Sequence, residues 1–392
     1  MNGAKLNRAD RPTTAYQAER PAAAMEVAMR TRNLKSFVVS LLALSLLALA
    51  GTGLAQADGF IVSDGQRVEV SRAAADSYPD GDGLKLTDGS YQFAWGDMVG
   101  FEGADPITFV VDLGATYDTI SYVALKLMRS DGSGVPLPAY AIVSVSEDGL
   151  LYEDLGMATA YQEGEVGNDT IGTLVWADEA WAGYGQFVKV EVQPGSDAWT
   201  MIAELQVGNG AVPAELLPAA SGGEAATADA VNVALGKSYT YTTLEPAAAY
   251  PDDGNVKLTD GSYAYAWGDM VGFPDPAANP VVIVDLGERV EGITRVAGLF
   301  MRSFASAVNL PFSLLVSVSD DGETYTTVGL AARTVPEPIM NELINSVYWQ
   351  DLGNPAAGRF VKVEVRARTA WTMIAEIVVQ TGAAVPEVVV EE

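Results

Sequence analysis

Much of the 392-residue chain occurs twice in the same order. Lys85-Leu-Thr-Asp-Gly-Ser-Tyr91 runs on to Phe101, and Lys257 to Phe273 repeats it with only Gln92 and Phe93 replaced, by Ala264 and Tyr265. Val111 to Gly114 recurs as Val284 to Gly287, Met128-Arg129-Ser130 as Met301-Arg302-Ser303, Phe187 to Val192 as Phe360 to Val365, and Ala198 to Glu204 as Ala370 to Glu376. The interval stays at 172 or 173 residues. A solenoid unit spans only about 20–50 residues, so this is one domain duplicated. The first copy covers residues 58–207 and the second 232–380. Between them, 208–231 is rich in Ala, Gly, Pro and Glu and reads as a linker, and 381–392 is a short acidic tail.

Within each copy the recurrent pattern has a period of two. Phe312, Leu314, Val316 and Val318 alternate with mostly serine before the turn Asp321-Gly322, and Val361, Val363 and Val365 alternate with Lys362 and Glu364. Such runs predict half-buried strands. Many short strands divided by Gly, Pro and Asp, with no amphipathic helix between them, predict an all-β architecture: two tandem antiparallel sandwiches.

Composition removes several kinds of chemistry. The chain has no His and no Cys, which excludes Ser/His/Asp and Cys/His nucleophile systems, thiolate metal sites and disulfides. Residues 1–57 hold seven Lys/Arg and three Asp/Glu; without their +4, the net charge of −28 becomes −32 on the remainder. That surface repels nucleic acid and anionic lipid but suits divalent cations. Phe37 to Ala50 is a mostly apolar run preceded by Arg30, Arg32 and Lys35 and followed by Ala55-Gln56-Ala57. This is the layout of a secretory signal, read as starting at Met29 and cleaved after Ala57. The expectation is a secreted protein with no membrane insertion after cleavage, and an uncleaved N-terminal anchor is the alternative.

Asn232-Val-Ala-Leu-Gly-Lys-Ser238, the Leu-Thr-Asp-Gly and Val-Asp-Leu-Gly blocks, Leu310-Pro311, Ser319-Asp-Asp-Gly322 and Trp371 through Glu376 stand in the order found in one family. Together they resemble a discoidin domain, also called the coagulation factor 5/8 type C domain, over 232–380 and, less tidily at its start, over 59–207. The resemblance implies a galactose-binding-like jelly roll that binds rather than catalyses, with ligand loops gathered at one end. Carbohydrate, in particular a polysaccharide or cell-surface glycan, is the implied partner, and an extracellular protein partner is the alternative.

The resemblance also implies a structural Ca²⁺ in each copy, held between an early loop and a late strand. Asp88 with Glu204, and Asp260 with Glu376, match that arrangement, and backbone carbonyls of Lys85, Ser90 and Ala203, or of Lys257, Ser262 and Ala375, would complete it. Calcium takes six to eight oxygens. The family's Thr hydroxyl a few residues after the Asp is absent, since Phe93-Ala94 and Tyr265-Ala266 stand there. The other reading is that each Asp caps a turn while each Glu pairs with a Lys or Arg.

Sugar recognition calls for a flat apolar face beside a few polar groups. Tyr91, Trp95 and Asp97 supply these in the first copy, with Tyr263, Trp267 and Asp269 in the second. Arg129 and Arg302 follow an apolar strand, where sugar-binding relatives place a ligand-contacting Arg. The competing structural reading has the tryptophans plugging the sandwich end and each Arg pairing with Asp97 or Asp269. Trp199 and Trp371 read as core. No carboxylate pair stands out as a glycosidase constellation, and no nucleophile elbow or phosphate loop follows a strand.

Overall fold

The computed structural model describes residues 60–179, 182–216, 230–274, 279–335, 339, 341–368 and 371–382. The signal segment expected in 1–57 and nearly all of the acidic tail lie outside them. Among the described residues, no helix is long and apolar enough to cross a membrane.

The architecture is all-β and antiparallel, one ten-stranded arrangement per copy. In the first copy the pivot is the strand Ile107–Arg129. Its first part lies between Val68–Val70 and Gly183–Gln193, with Val111 opposite Val68 on one side and Val188 on the other. Its second part lies between Trp199–Asn209 and Thr170–Ala177, with Leu125 opposite Leu205 and Leu174. Register shifts between Asp112 and Ile120 mark the change of neighbours. There the Asp112 carboxylate accepts the Gly114 N–H at 2.9 Å, and Gly114 takes φ +72°, a left-handed conformation that glycine adopts without strain. One strand thus serves both layers of a sandwich. Tyr140–Ser146 and Glu153–Ala158 extend the first layer, while Phe60–Ile61 and Val99–Glu102 add to the second.

The second copy repeats this plan around Val281–Arg302. Ser238–Tyr241 and Ala356–Arg366 flank its first part, and Thr372–Thr381 and Leu343–Gln350 its second. The alternating segments are strands: Val361, Val363 and Val365 are fully buried while Lys362 and Glu364 are half-exposed, and Leu314, Val316 and Val318 are buried within Ser313–Ser319. Each buried valine contributes about 1.5–3 kcal/mol over an exposed one. Phe101 and Phe109 meet edge-on at 5.6 Å in the first core. The strand Trp199–Asn209 continues past Val207, and Val212 and Leu216 pack against Tyr122, Ala124 and Val175. The first apolar residues of 208–231 therefore belong to the first sandwich.

The two sandwiches also meet face to face, through equivalent positions. Strand register makes Tyr140 the counterpart of Ser313 and Asp154 the counterpart of Thr327. The Ser313 hydroxyl donates to Asp154 at 2.6 Å, and the Tyr140 side chain interacts with that of Thr327. Both contacts pair the same two positions, once in each direction, which is the signature of an approximate two-fold relation. Met157 and Trp176 line one cleft with their counterparts Leu330 and Trp349. Ion pairs break the symmetry: Arg366 bonds Asp154 at 2.9 Å and Glu191 at 2.6 Å, and Arg333 bonds Asp178 at 2.6 Å.

Candidate functional site

The buried glutamates are set by a β-bulge. Ile202, Leu205 and Val207 all point into the first core, so the period of two slips between 202 and 205, and the register shift falls between Ile202 and Glu204. The second copy has the same slip between Ile374 and Glu376. Both glutamates are fully buried. Oε1 of Glu204 accepts the Gly89 N–H at 3.2 Å, Oε1 of Glu376 accepts the Gly261 N–H at 3.1 Å, and Oε2 of each has no hydrogen-bond partner. Burial, with Asp88 or Asp260 close by, pushes each carboxyl up to about 8.

Asp88 and Asp260 are exposed and do cap a turn, accepting the N–H of Ser90 and of Ser262 at 2.8 Å. Gly89 and Gly261 hold φ +79° and +81°, which aims their N–H groups at the glutamates. Lys85 and Lys257 tie this loop to the Trp95–Asp97 and Trp267–Asp269 turns by donating to the carbonyls of Gly96 (3.0 Å) and Gly268 (2.9 Å). A buried carboxylate oxygen without a partner is costly. A hard cation taking Oε2, the Asp carboxylate and nearby carbonyls would remove that cost. Among the described residues no group of three or more His, Cys, Asp or Glu could hold a metal. The remaining ligands would be carbonyls, with Ala203 and Ala375 buried beside the glutamates.

The two segments expected to bind ligand converge. Trp95 packs with Met128, the residue before Arg129, and with Met98, Val135, Met201, Ile171, Tyr78 and Trp199 in one cluster. Tyr78 and its counterpart Tyr250 organise the aromatics. Tyr78 lies 5.8 Å from Trp95, tilted by 40°, and 5.5 Å from Trp199, edge-on; Tyr250 does the same with Trp267 at 5.8 Å and 38° and with Trp371 at 5.5 Å. Trp199 and Trp371 are half-buried members of this cluster rather than parts of the main core. Gly100 and Gly272 let the tyrosines approach, since a Cβ at Gly100 would sit 2.9 Å from the Tyr78 Cβ and 2.8 Å from the Met201 sulfur. Gly100→Ala is expected to lower stability by about 1–3 kcal/mol through overpacking and to change the tryptophan emission. Urea unfolding and fluorescence check both.

Tyr91 and Tyr263 are the open aromatic faces, each 46% exposed, while Trp95 and Trp267 are half-buried. Neither Arg pairs with Asp97 or Asp269, because a nearer partner wins in each copy. The Arg129 guanidinium makes two 3.0 Å bonds to the Asp131 carboxylate, two residues on, and a third to the Val166 carbonyl. In the second copy Phe304 stands where Asp131 does. The Arg302 guanidinium lies 4.2 Å from the Phe304 ring centroid, a cation–π contact, and Nη1 donates to the Ile339 carbonyl at 3.0 Å. Phe304 is 48% exposed and Ile339 39%.

Sequence reasoning missed Tyr78, Tyr250 and one more duplicated device. Asn168 and Asn341 accept the N–H of Asp131 (2.7 Å) and Phe304 (2.9 Å), and the next residue, Asp169 or Glu342, accepts the hydroxyl of Ser130 (2.7 Å) or Ser303 (2.8 Å). Asp169 and Glu342 both hold left-handed φ, +52° and +55°, a conformation that costs a non-glycine residue about 1 kcal/mol or more. The Tyr265 hydroxyl donates to Glu342 as well, joining the two ligand segments. An Asn followed by an acidic residue at an interval of 173 was the signal.

No family model and no curated protein matches the chain. Similar solved structures include a fucolectin from striped bass (Morone saxatilis) serum, 15% identical, covering 82% of this chain and 97% of that chain at a TM-score of 0.29. Another is the module CpGH89CBM32-5 from Clostridium perfringens in complex with GalNAc-β-1,3-galactose, 16% identical, covering 38% of this chain and 99% of that one at 0.30. A third is the CBM32-1 and CBM32-2 pair of Clostridium perfringens ZmpB in complex with GalNAc, 9% identical, covering 82% and 91% at 0.30. At these values the likeness assigns neither family nor ligand.

Proposed function

We propose that the protein is a secreted, non-catalytic carbohydrate-binding protein whose duplicated sandwiches each hold a structural Ca²⁺ and present an aromatic, arginine-bearing end to a polysaccharide or cell-surface glycan. The observation that supports it best is the convergence, in both copies, of a half-buried tryptophan and the turn bearing Arg129 or Arg302. Such a surface covers sugar C–H faces while a guanidinium fixes hydroxyls. For calcium, the support is the orphaned Oε2 of Glu204 and Glu376 beside Asp88 and Asp260.

A glycan array probed with the two-copy protein, with and without Ca²⁺, tests this reading; no signal under either condition would overturn it. The second copy is expected to dominate binding, because Arg129 is neutralised by Asp131 while no carboxylate among the described residues bonds Arg302. Arg302→Ala should weaken binding about tenfold or more and Arg129→Ala several-fold less, measured by calorimetry on an array hit.

A further inference from the structure

We infer that the face between the sandwiches selects its partner by charge: the first copy accepts a second copy, its own or that of another molecule of this chain, and refuses another first copy. This selection needs neither calcium nor glycan.

The apolar part of the junction makes no such distinction. Trp176 packs on Gly156 and Trp349 on Gly329, where an added Cβ would meet the indole at 2.3 or 2.0 Å. Met157 and Leu330 occupy equivalent places in the same cleft. In shape, either copy therefore suits its like.

The charges do distinguish. Among the described residues, every ion pair between the sandwiches joins an arginine of the second copy to a carboxylate of the first. Arg366 bonds Asp154 at 2.9 Å and Glu191 at 2.6 Å, Arg333 bonds Asp178 at 2.6 Å, and Arg368 lies 3.8 Å from Glu153. Strand register puts Gln193 and Ala160 where Arg366 and Arg333 stand, and Thr326 and Thr327 where Glu153 and Asp154 stand. Gly195 precedes Arg368 by the interval of 173. The first copy thus brings the acids without the bases.

Two first copies would meet with Gln193 in the place of Arg366. Asp154, its side chain 2% exposed, would lose its cation, while Lys189 stays 3.5 Å from Glu191 on the same strand. The two-fold relation doubles that loss, and a buried charge without a partner is strongly destabilising. First–first pairing is expected to be at least about a hundredfold weaker than first–second. Two second copies would fare better. Glu364, the counterpart of Glu191, already feels the Tyr140 hydroxyl across the junction, and Asp351 is the counterpart of Asp178. Arg366 would still exchange Asp154 for Thr327, so the mixed pair remains the preferred one.

The test places a protease site within 217–229 of the full chain, cuts the folded protein, unfolds it in urea and refolds it by dilution. Native mass spectrometry then tells the three pairings apart by mass. The expected product is the first–second pair, with no first–first pairs. Asp154→Thr/Arg366→Gln, which gives each copy the other's residue at the central contact, should admit first–first pairs alongside the mixed ones. Asp154→Asn, which keeps the shape of the side chain and removes its charge, is the second variant should circular dichroism show the double one to fold poorly. First–first pairs in statistical proportion from the unmodified protein, halves that never pair, or folded variants that still yield no first–first pairs would each overturn the inference.

Discussion

In EDTA, the melting temperature falls as the pH is raised from 5 to 9, and Ca²⁺ abolishes that fall. Glu204 and Glu376 titrate near 4.5 when unfolded and near 8 in the metal-free fold. Between those values the folded state holds protons that the unfolded state has released, so stability drops as pH rises. The loss begins above about 4.5 and is complete above about 8. Few other groups interfere, because the chain has no His and no Cys. Asp148, Asp285, Asp321 and Glu342 are shifted downward by hydrogen bonds or by Arg359, so their contribution is lost only in more acidic solution, as pH falls. Calcium needs the ionised carboxylates, so its stabilisation should be largest at the alkaline end. The double variant Glu204→Gln/Glu376→Gln carries neutral amides at both positions and should lose both the slope and the sensitivity to EDTA. A melting temperature in EDTA that rises through this window would sink the assignment.

Arg366→Ala should destabilise the protein by about 2–4 kcal/mol and loosen the pairing of the two sandwiches. The Asp154 side chain is 2% exposed and accepts from Arg366, Ser313 and Ser144. Removing a cation from a buried pair leaves an uncompensated charge, typically at about 3–5 kcal/mol. Arg366 itself is 21% exposed, so solvent softens the loss. Asp154→Asn/Arg366→Met should recover part of it, because no unpaired buried charge is then left at position 154. Urea unfolding gives the energies, and small-angle scattering shows whether the molecule extends. Unchanged stability and dimensions in Arg366→Ala would refute the role assigned to this contact.

How far the sequence could be read follows from which residues occur twice. The duplication, the strands carrying Leu314 to Val318 and Val361 to Val365, and the burial of Glu204 and Glu376 were legible because both copies carry them in patterned runs. Tyr78 and Tyr250 were not, since nothing local marks a tyrosine that will stand between two tryptophans distant in sequence. The Arg129–Asp131 pair was legible in principle, being two residues apart, but Phe304 in place of Asp131 hid it from a search for shared features. The same holds at the inter-copy cluster, where Arg366 and Asp154 have counterparts Gln193 and Thr327. Residues on which the copies disagree tell the two apart, and comparing like with like passes over them.

The face-to-face pairing of the sandwiches makes the molecule a caliper rather than a pair of beads on a string. With Ser313 on Asp154 and Arg366 on Asp154 and Glu191, the sandwiches are expected to stay paired without the stretch 217–229. Cutting it should leave both halves associated, and lengthening it should not widen their reach. If each copy grips a glycan, the gap between the grips is a built-in dimension. A polymer whose epitopes recur at that distance is then held twice, with the second contact intramolecular, while a ligand of another pitch is held once.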